Sequence, residues 1–265
     1  MNGAPMAARR SLGMDGVRAG VNVLWARLCR HASRIAGQAA RELVPALCPV
    51  CRAVLRPPGA WACESCDTAM MVLPTPRCSA CGGSQDGVLE VCTECLHAGP
   101  RPWTRAVSAF RFRGVVRDAV HRLKYQHDTA LVPPLAAAMA ENWRRHGCPD
   151  ADVVTPVPLH WSRRMRRGYN QAELLARFAA RELGLPCQAL LRRRRSTAQQ
   201  AMLDAERRQT NVRGVFAPRP ANRGGGQRVL LIDDVLTTGA TLAEAARVLM
   251  TVDVAAVYVL TAARG

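Results

Sequence analysis

Lysine is almost absent from this sequence. Lys124 is the only lysine in 265 residues, although lysine and arginine together number 37 and the formal net charge is +17. A GC-rich genome accounts for the preference for arginine over lysine, but it does not account for the excess of positive charge. A polyanionic partner is the simplest explanation of that excess. Because the guanidinium fork binds phosphates bidentately, the composition favours a protein that contacts phosphate groups.

Long apolar runs and aromatic residues are also scarce. No apolar stretch approaches the roughly 20 residues that a membrane-spanning helix needs. Residues 1–20 lack the apolar core of a secretory signal, so we expect a cytoplasmic protein without a transmembrane segment. Aromatic residues make up only 5% of the chain. This low content argues against an extensive platform for stacking nucleic-acid bases.

The first 46 residues form a segment of their own. Residues 1–16 are rich in Gly, Ala, Met and Arg, and we expect them to be disordered. From residue 21 to 43, apolar residues recur near helical spacing and arginines fall opposite them, which predicts an amphipathic helix ended by Pro45. Such a helix can lie on a membrane, on DNA or on its own protein, and we favour the last.

Eight cysteines form four Cys-x-x-Cys pairs between residues 47 and 100. The pairs recur at steps of 15, 15 and 14 residues, and they are Cys48 and Cys51, Cys63 and Cys66, Cys78 and Cys81, and Cys92 and Cys95. Thiols stay reduced in the cytoplasm, so the pattern indicates metal binding and not disulfides. Four thiolates in tetrahedral geometry suit Zn²⁺ with no open position, which predicts two structural zinc sites in a double zinc-ribbon domain.

Other interpretations of the cysteines remain open. A redox motif would need only one such pair, and an iron–sulfur centre is a weaker alternative to zinc. We predict sequential pairing of the motifs, the first with the second and the third with the fourth. A cross-braced arrangement is the alternative.

Residues 101–265 alternate between strand and helix patterns. Strands are predicted at 106–112, 228–232 and near 254–260, and residues 152–159 are predicted to be a strand that runs into a proline-bounded loop. Helices are predicted at 115–125, 135–146, 170–183 and about 241–250. The segment 192–213 is highly polar and predicts a loop. This alternation is typical of an α/β domain with a parallel sheet.

The stretch "VLLIDDVLTTGAT" at 229–241 places two adjacent aspartates at the end of a predicted strand. Ligands of open parallel sheets bind beyond the carboxyl ends of the strands. The small and hydroxyl-bearing residues that follow would expose backbone N–H groups at a helix start, which suits a phosphate. The carboxylates would accept hydrogen bonds from sugar hydroxyls and approach a divalent cation. A surface turn with solvated aspartates is the plainer alternative.

This motif resembles the ribose-phosphate-binding motif of type I phosphoribosyltransferases. From Cys48 onward the chain resembles the ComF family, through the paired cysteine motifs, "AFRFRG", "LKY", "TPVPLHWSRRMRRGYNQAELLA" and "RRRRSTAQQAMLDAERRQTNVRGVF". The first 47 residues extend beyond the usual start of that family. The resemblance implies an α/β fold with a phosphoribosyltransferase-like parallel sheet flanked by helices over 101–265, preceded by the double zinc ribbon.

The resemblance also implies roles for individual residues. Asp233 and Asp234 would bind the ribose hydroxyls of phosphoribosyl pyrophosphate. Its 5-phosphate would lie on Thr237, Thr238, Gly239, Ala240 and Thr241. The pyrophosphate loop would comprise Pro156, Val157, Pro158, Leu159 and His160, followed by Arg163, Arg164, Arg166 and Arg167. A mobile flap would include Arg194, Gln199, Gln200, Arg208 and Asn211. A solvated arginine surface is the alternative for the arginine runs.

Two functions follow from the resemblance. The first is binding of phosphoribosyl pyrophosphate with Mg²⁺, with possible transfer of the phosphoribosyl group to an acceptor that the sequence does not identify. No general base can be named either, so the existence of catalysis is left open. The second is a non-catalytic accessory protein for DNA uptake that binds single-stranded DNA and contacts proteins of the uptake machinery.

Overall fold

The structure is a computed structural model that describes residues 47–55, 62–70, 73, 75–85, 89–195, 213–219 and 225–265. The predicted disordered start and the predicted helix over 21–43 lie outside these residues. Cys48–Arg52 and Trp61–Gly265 belong to one compact unit, and residues 47 and 53–55 are the described part of a second. The predicted division between 47–100 and 101–265 stays a prediction.

The cysteine-rich segment contains two similar substructures. In each, a turn carries one Cys-x-x-Cys pair and a short helix carries the next pair. The helices are α1 (Glu64–Ala69) and α2 (Thr93–Ala98), and their N-cap residues are Cys63 and Cys92. A helix start exposes N–H groups that stabilise thiolate charge. This repeated turn-and-helix arrangement fits a double zinc ribbon.

A four-stranded parallel sheet forms the centre of the remaining chain. Its strands are β1 (Arg105–Arg111), β2 (Val153–Pro156), β5 (Gln227–Leu236) and β6 (Val254–Arg264), and their order is β1-β6-β5-β2. A separate antiparallel pair joins β3 (Leu191–Arg193) to β4 (Phe216–Pro218). The longer helices are α3 (Gly114–Tyr125), α4 (Val132–Arg145), α6 (Gln171–Leu183) and α7 (Ala240–Leu249). The helix α5 (Trp161–Arg167) is shorter.

Both faces of the sheet are covered, which explains the continuous apolar run at the start of the motif. Residues 229–232 of β5 are all 0% exposed, as expected for a parallel strand buried on both sides. Helices α3, α4 and α6 contribute to the apolar cluster on one face. Helix α7, the antiparallel pair of β3 and β4, and Cys78, Cys81 and Cys95 contribute to the cluster on the other. These observations confirm the predicted fold class.

Several predicted boundaries were wrong. Strands β5 and β6 run past the predicted ends at 232 and 260, because their pairing continues from Asp233 with Thr261 to Leu236 with Arg264. Strand β2 ends at Pro156, which agrees with the prediction of a strand that runs into a proline-bounded loop. The polar segment predicted as a loop begins with β3, which pairs with β4. No helix within the described ranges is long and apolar enough to cross a membrane.

Candidate functional site

The carboxyl ends of β2 and β5 lie side by side at one edge of the sheet. The N–H of Val157 donates to the carbonyl oxygen of Ile232 at 2.9 Å, so the loop after β2 begins beside Asp233. A cavity of about 540 Å³ opens there. This position and size suit a small-molecule site of an α/β sheet. The residues predicted from sequence that line it are Val157, Pro158, Leu159, Arg163, Arg166, Arg167, Asp233, Asp234 and residues 237–241.

The two aspartates differ in their surroundings. The Asp234 side chain is 6% exposed, and its Oδ2 lies 3.1 Å from Nζ of Lys124. The Lys124 ammonium forms an ion pair with this carboxylate oxygen, which has no other polar partner among the described residues. Oδ1 of Asp233 accepts the N–H of Asp234 at 2.9 Å. The cavity therefore contains carboxylate oxygens with free capacity for hydroxyl groups or a cation.

Protonation of Asp233 depends on its neighbours. Burial raises the pKa of its carboxyl, and the adjacent negative charge of Asp234 raises it further, to about 7. Lys124, the Asp234 N–H and Arg193 act in the opposite direction but do not cancel these effects. Two carboxylates in one site resist simultaneous ionisation. A ligand that supplies hydroxyl donors or positive charge would relieve that repulsion.

Residues 236–241, here called the 236–241 loop, run from the last residue of β5 into the first turn of α7. Gly239 is the N-cap of α7 and has a φ of 80°, a conformation that glycine adopts without strain. A Cβ atom there would also lie 3.0 Å from a ring carbon of Trp103. The first turn of the ten-residue helix α7 thus opens directly onto the cavity. Its N–H groups and helix dipole provide positive potential for an anion.

Five cationic side chains line the cavity, against two carboxylates. They are Lys124, Arg163, Arg166, Arg167 and Arg193. Such an excess of positive charge favours a ligand that carries several negative charges. Burial lowers the pKa of Arg193 to about 10, with repulsion from Arg163 adding to the effect and Asp233 opposing it. Its guanidinium still carries a proton at neutral pH.

Arg167 and Asn170 are fixed by their packing. The Arg167 guanidinium is buried, donates to Oε1 of Gln171 at 3.2 Å and lies 4.9 Å above the Tyr125 ring. Asn170 donates from Nδ2 to the Val157 carbonyl at 3.0 Å and accepts the N–H of Ala172 at 3.2 Å. This amide ties the loop after β2 to the start of α6. The positions of the loop and of one arginine are therefore set before a ligand arrives.

Some predicted residues lie away from the cavity. Pro156 is the last residue of β2, and His160 caps α5 by accepting the Ser162 N–H at 3.3 Å; neither lines the cavity. Arg194 is exposed, and its N–H donates to the Val215 carbonyl at 2.7 Å. Its neighbour Arg193 lines the cavity instead. The other predicted flap residues, Gln199, Gln200, Arg208 and Asn211, lie outside the described residues.

Several cavity residues were not identified from sequence. Lys124 and Tyr125 come from the end of α3, and Arg193 comes from β3. One signal for Lys124 was available, because it is the only lysine of the chain. Tyr125 lies beside it in the "LKY" stretch. Nothing in the local pattern distinguishes Arg193 from the arginines around it.

The cysteines form two separate groups. Within each group the sulfur atoms all lie within 4.8 Å of one another. The first cluster is Cys48, Cys51, Cys63 and Cys66, and the second cluster is Cys78, Cys81, Cys92 and Cys95. This is the sequential pairing that we predicted. Two four-cysteine groups can hold metal ions, and all-sulfur donors at this spacing suit a closed tetrahedral site.

Thiol acidity also fits metal binding. Burial opposes ionisation of Cys48, but N–H groups of Cys51, Cys63 and Val50 outweigh it and lower the pKa of this thiol to about 6. In the second cluster, burial of Cys78 is outweighed by N–H groups of the same kind, and the pKa falls to about 7. The thiolate is the form that binds a metal. Backbone N–H groups thus favour the thiolate form of Cys48 in the first cluster and of Cys78 in the second.

Comparison with known proteins agrees with this architecture. Residues 170–265 match the phosphoribosyl transferase domain family. Competence protein F of Haemophilus influenzae is 30% identical over 82% of this chain and 96% of its own length. DNA utilization protein YhgH of Salmonella typhi is 34% identical over 78% of this chain and 92% of its own. Competence protein ComFC of Bacillus subtilis is 27% identical, covering 71% and 77%. The chain therefore belongs to the ComF family.

Proposed function

We propose that this protein binds phosphoribosyl pyrophosphate together with Mg²⁺ in the cavity at the ends of β2 and β5. One observation carries the proposal: a helix N-terminus, a carboxylate pair and a cluster of arginines all face the same cavity. These three features match the three parts of the ligand, a phosphate, a sugar with two free hydroxyls and a pyrophosphate. The match of residues 170–265 to the phosphoribosyl transferase domain supports it.

The 5-phosphate lies on the 236–241 loop in this proposal. Successive backbone N–H groups before α7 bind the phosphate oxygens, and the hydroxyls of Thr237, Thr238 and Thr241 add donors. Gly239 lets the backbone turn at this point, because its φ is 80°. A side chain there would be both strained and in contact with Trp103.

The ribose lies against Asp233 and Asp234. Each carboxylate accepts a hydrogen bond from a hydroxyl, and such charge-assisted bonds are stronger than neutral ones. The buried Oδ2 of Asp234 has no hydrogen-bond partner among the described residues, so it has capacity for a hydroxyl or a cation. Mg²⁺ prefers carboxylate and phosphate oxygens. These two aspartates are the residues that would hold it.

The pyrophosphate lies beside the loop after β2. Val157, Pro158 and Leu159 form the wall of the cavity, and Arg163, Arg166 and Arg167 follow on α5. Guanidinium groups bind phosphate oxygens bidentately. Arg193 of β3 lines the same cavity, and it lies close enough to Arg163 and Asp233 for both charges to affect its pKa.

The same arrangement supports transfer of the phosphoribosyl group. As the bond from the anomeric carbon to pyrophosphate breaks, the electron pair leaves with pyrophosphate and positive charge develops on the sugar. The aspartates stabilise that positive charge, and the arginines stabilise the leaving pyrophosphate. A lone pair of the acceptor then forms the new bond to the anomeric carbon, and the proton that the acceptor loses passes to the released pyrophosphate or to water.

Calorimetric titration tests this function directly. Phosphoribosyl pyrophosphate with Mg²⁺ should bind more tightly than either ribose 5-phosphate or pyrophosphate, because only the whole ligand contacts all three features. Omitting Mg²⁺ should weaken binding. The proposal is wrong if phosphoribosyl pyrophosphate fails to bind, or if it binds no better than pyrophosphate alone.

A second function, binding of single-stranded DNA, is favoured by the exposed side of α5. Trp161 is 70% exposed and Met165 is 78% exposed. Arg164 and Arg166 are also exposed on this short helix. An aromatic ring beside arginines can stack a base and contact the adjoining phosphates. Two of the three relatives are named for competence and the third for DNA utilization, which agrees with a role in DNA uptake.

A further inference from the structure

We propose that the second cluster, when it holds its metal, orients the 236–241 loop for anion binding through Arg101 and Arg264. The identity of the anion rests on the function proposed above, whereas the coupling itself does not. Both arginines contact the second cluster or its helix at one end of the guanidinium group and the loop at the other. The metal site thus acts as a support for the binding loop as well as for its own segment.

Arg101 forms the first connection. Its Nη2 lies 3.8 Å from Sγ of Cys95, and its Nη1 donates to the carbonyl oxygen of Thr238 at 3.2 Å. The same guanidinium lies 5.7 Å from the centre of the buried Trp103 ring. One planar group therefore bridges a metal-ligating sulfur and the middle of the loop. A guanidinium group holds such a bridge rigidly because its donors are fixed in one plane.

Arg264 forms the second connection, at the end of β6. Its Nη1 donates to the carbonyl of Thr237 at 3.0 Å and to that of Leu236 at 3.3 Å. Its Nη2 lies 3.2 Å from Oε2 of Glu94, which belongs to α2 between Cys92 and Cys95. The Arg264 side chain is only 10% exposed. Glu94 is 72% exposed, so solvent screens its ion pair, and the contacts of Arg264 with the two loop carbonyls are the firmer part of this connection.

These two arginines hold three consecutive carbonyl groups, those of Leu236, Thr237 and Thr238. In a trans peptide the N–H of the next residue points in the direction opposite to the carbonyl. Drawing the three carbonyls toward the second cluster therefore turns the N–H groups of Thr237, Thr238 and Gly239 away from it, and these residues line the cavity. Aligned N–H groups of this kind form an anion-binding concavity.

Close packing makes the connection stiff. Nε1 of Trp103 donates to the carbonyl of Ala80, which lies between Cys78 and Cys81, at 2.6 Å. A Cβ on Gly82 would lie 2.8 Å from the carbonyl oxygen of Ala106 on β1, so the turn of the second cluster rests directly on the sheet. On its other side, Trp103 approaches Gly239 as described above. A displacement of the second cluster would therefore displace Trp103 and, through it, the loop.

The first cluster provides the internal comparison, because it is connected to α3 and to Asp128. Arg122 of α3 donates to the carbonyl of Pro49 at 2.7 Å, and Arg52 lies 2.8 Å from Asp128. Short metal-bound segments derive much of their folding energy from the metal. Removal of metal from the second cluster should release the loop, whereas removal from the first should not.

Hydrogen–deuterium exchange of the ligand-free, zinc-loaded protein tests the coupling without any ligand. We compare Cys92→Ser with Cys63→Ser, since these cysteines occupy the same N-cap position in the two clusters. The N–H groups of Ala240 and Ala243 donate to Thr238 Oγ1 at 3.4 Å and to the Gly239 carbonyl at 2.7 Å. These amides should exchange about tenfold faster in Cys92→Ser, as expected when a charged hydrogen bond that holds the loop is broken. They should be unchanged in Cys63→Ser. Equal exchange of this loop in both variants would overturn the proposal.

If Cys92→Ser does not fold, two other variants test the coupling, because they leave all cysteines of the clusters in place. These variants are Arg101→Gln and Arg264→Gln. Both should speed exchange of the loop and weaken phosphoribosyl pyrophosphate binding about tenfold while zinc content stays the same. Arg117→Gln, on the exposed face of α3, is the matched removal of charge and should change neither. If exchange is faster in the two arginine variants but neither the parent nor any variant binds phosphoribosyl pyrophosphate, the coupling is supported and the proposed ligand is refuted. Unchanged exchange in both variants would refute the coupling.

Discussion

The ammonium group of Lys124 lies 3.1 Å from Oδ2 of Asp234. The only lysine of an arginine-rich chain is thus placed against the more buried of the two motif aspartates. An ammonium is a compact point charge, whereas a guanidinium is a broad planar fork. The compact group balances part of the charge of the aspartate pair and leaves carboxylate oxygens available to a ligand.

Chemical labelling of Lys124 should report on ligand binding. An amine-acetylating reagent can modify only Lys124 and the chain's amino terminus, and the Lys124 side chain is 23% exposed. We expect phosphoribosyl pyrophosphate with Mg²⁺ to slow acetylation of Lys124 several-fold, because the ligand fills the cavity that this side chain lines. Mass spectrometry of the peptide that contains Lys124 measures the extent of acetylation, and the amino terminus is the internal control. If Lys124 is acetylated equally fast with and without saturating ligand, the ligand does not bind in this cavity.

The pH dependence of stability should change when Asp233 is replaced. Its pKa is about 7 in the folded protein, against roughly 4 for an unperturbed aspartate. The folded state therefore binds more protons in this interval, and the stability contributed by protonated Asp233 is lost as pH rises from about 4 to 7. Asp233→Asn removes this pH dependence.

Denaturant unfolding at pH 5, 6, 7 and 8 checks this prediction. The variant should gain stability relative to the parent as pH rises to 7, and the difference should level off above it. Asp118→Asn, which alters an exposed aspartate, is the control. A constant difference between Asp233→Asn and the parent across this range would contradict the raised pKa.

Metal analysis should find about two zinc ions per chain in protein purified under reducing conditions, one for each four-cysteine cluster. Cys63→Ser should reduce the content to about one, because it removes a ligand from the first cluster. Cys148→Ser lies outside both clusters and should retain two. Iron in place of zinc, or metal-free protein with all eight thiols titratable, would refute the assignment.

Single-stranded DNA binding should depend on α5. Arg164→Gln with Arg166→Gln should weaken binding and lower the magnitude of the slope of log affinity against log salt by ~0.7 for each phosphate group that the variant no longer binds. Trp161→Ala should weaken binding with little change of slope, since stacking releases no counterions. Arg117→Gln with Arg145→Gln is the control for charge alone. A slope equal to that of the parent would identify the α5 arginines as solvated surface.

Local sequence patterns predicted a large part of the fold. The alternation of strands and helices predicted the sheet, and the spacing of the cysteine pairs predicted the two clusters. The ends of β5 and β6 were missed, because backbone pairing continues past Ile232 through aspartates that interrupt the apolar pattern. Lys124 and Arg193 reach the cavity from α3 and β3, and only the tertiary fold brings them there. The contacts of Arg101 and Arg264 with the loop could not be predicted from local sequence patterns either, because only the tertiary fold brings these residues together.

Replacing both motif aspartates tests the central claim most directly. Asp233→Asn with Asp234→Asn keeps the shape of the side chains and removes their charge. Affinity for phosphoribosyl pyrophosphate with Mg²⁺, measured by calorimetry, should fall between several-fold and about a hundred-fold, because charge-assisted hydrogen bonds contribute roughly 1.5–3 kcal/mol each. The melting temperature should hold or rise, because two adjacent like charges no longer repel. Unchanged affinity with a lowered melting temperature would show that the pair is structural and that the cavity is not a ribose-phosphate site.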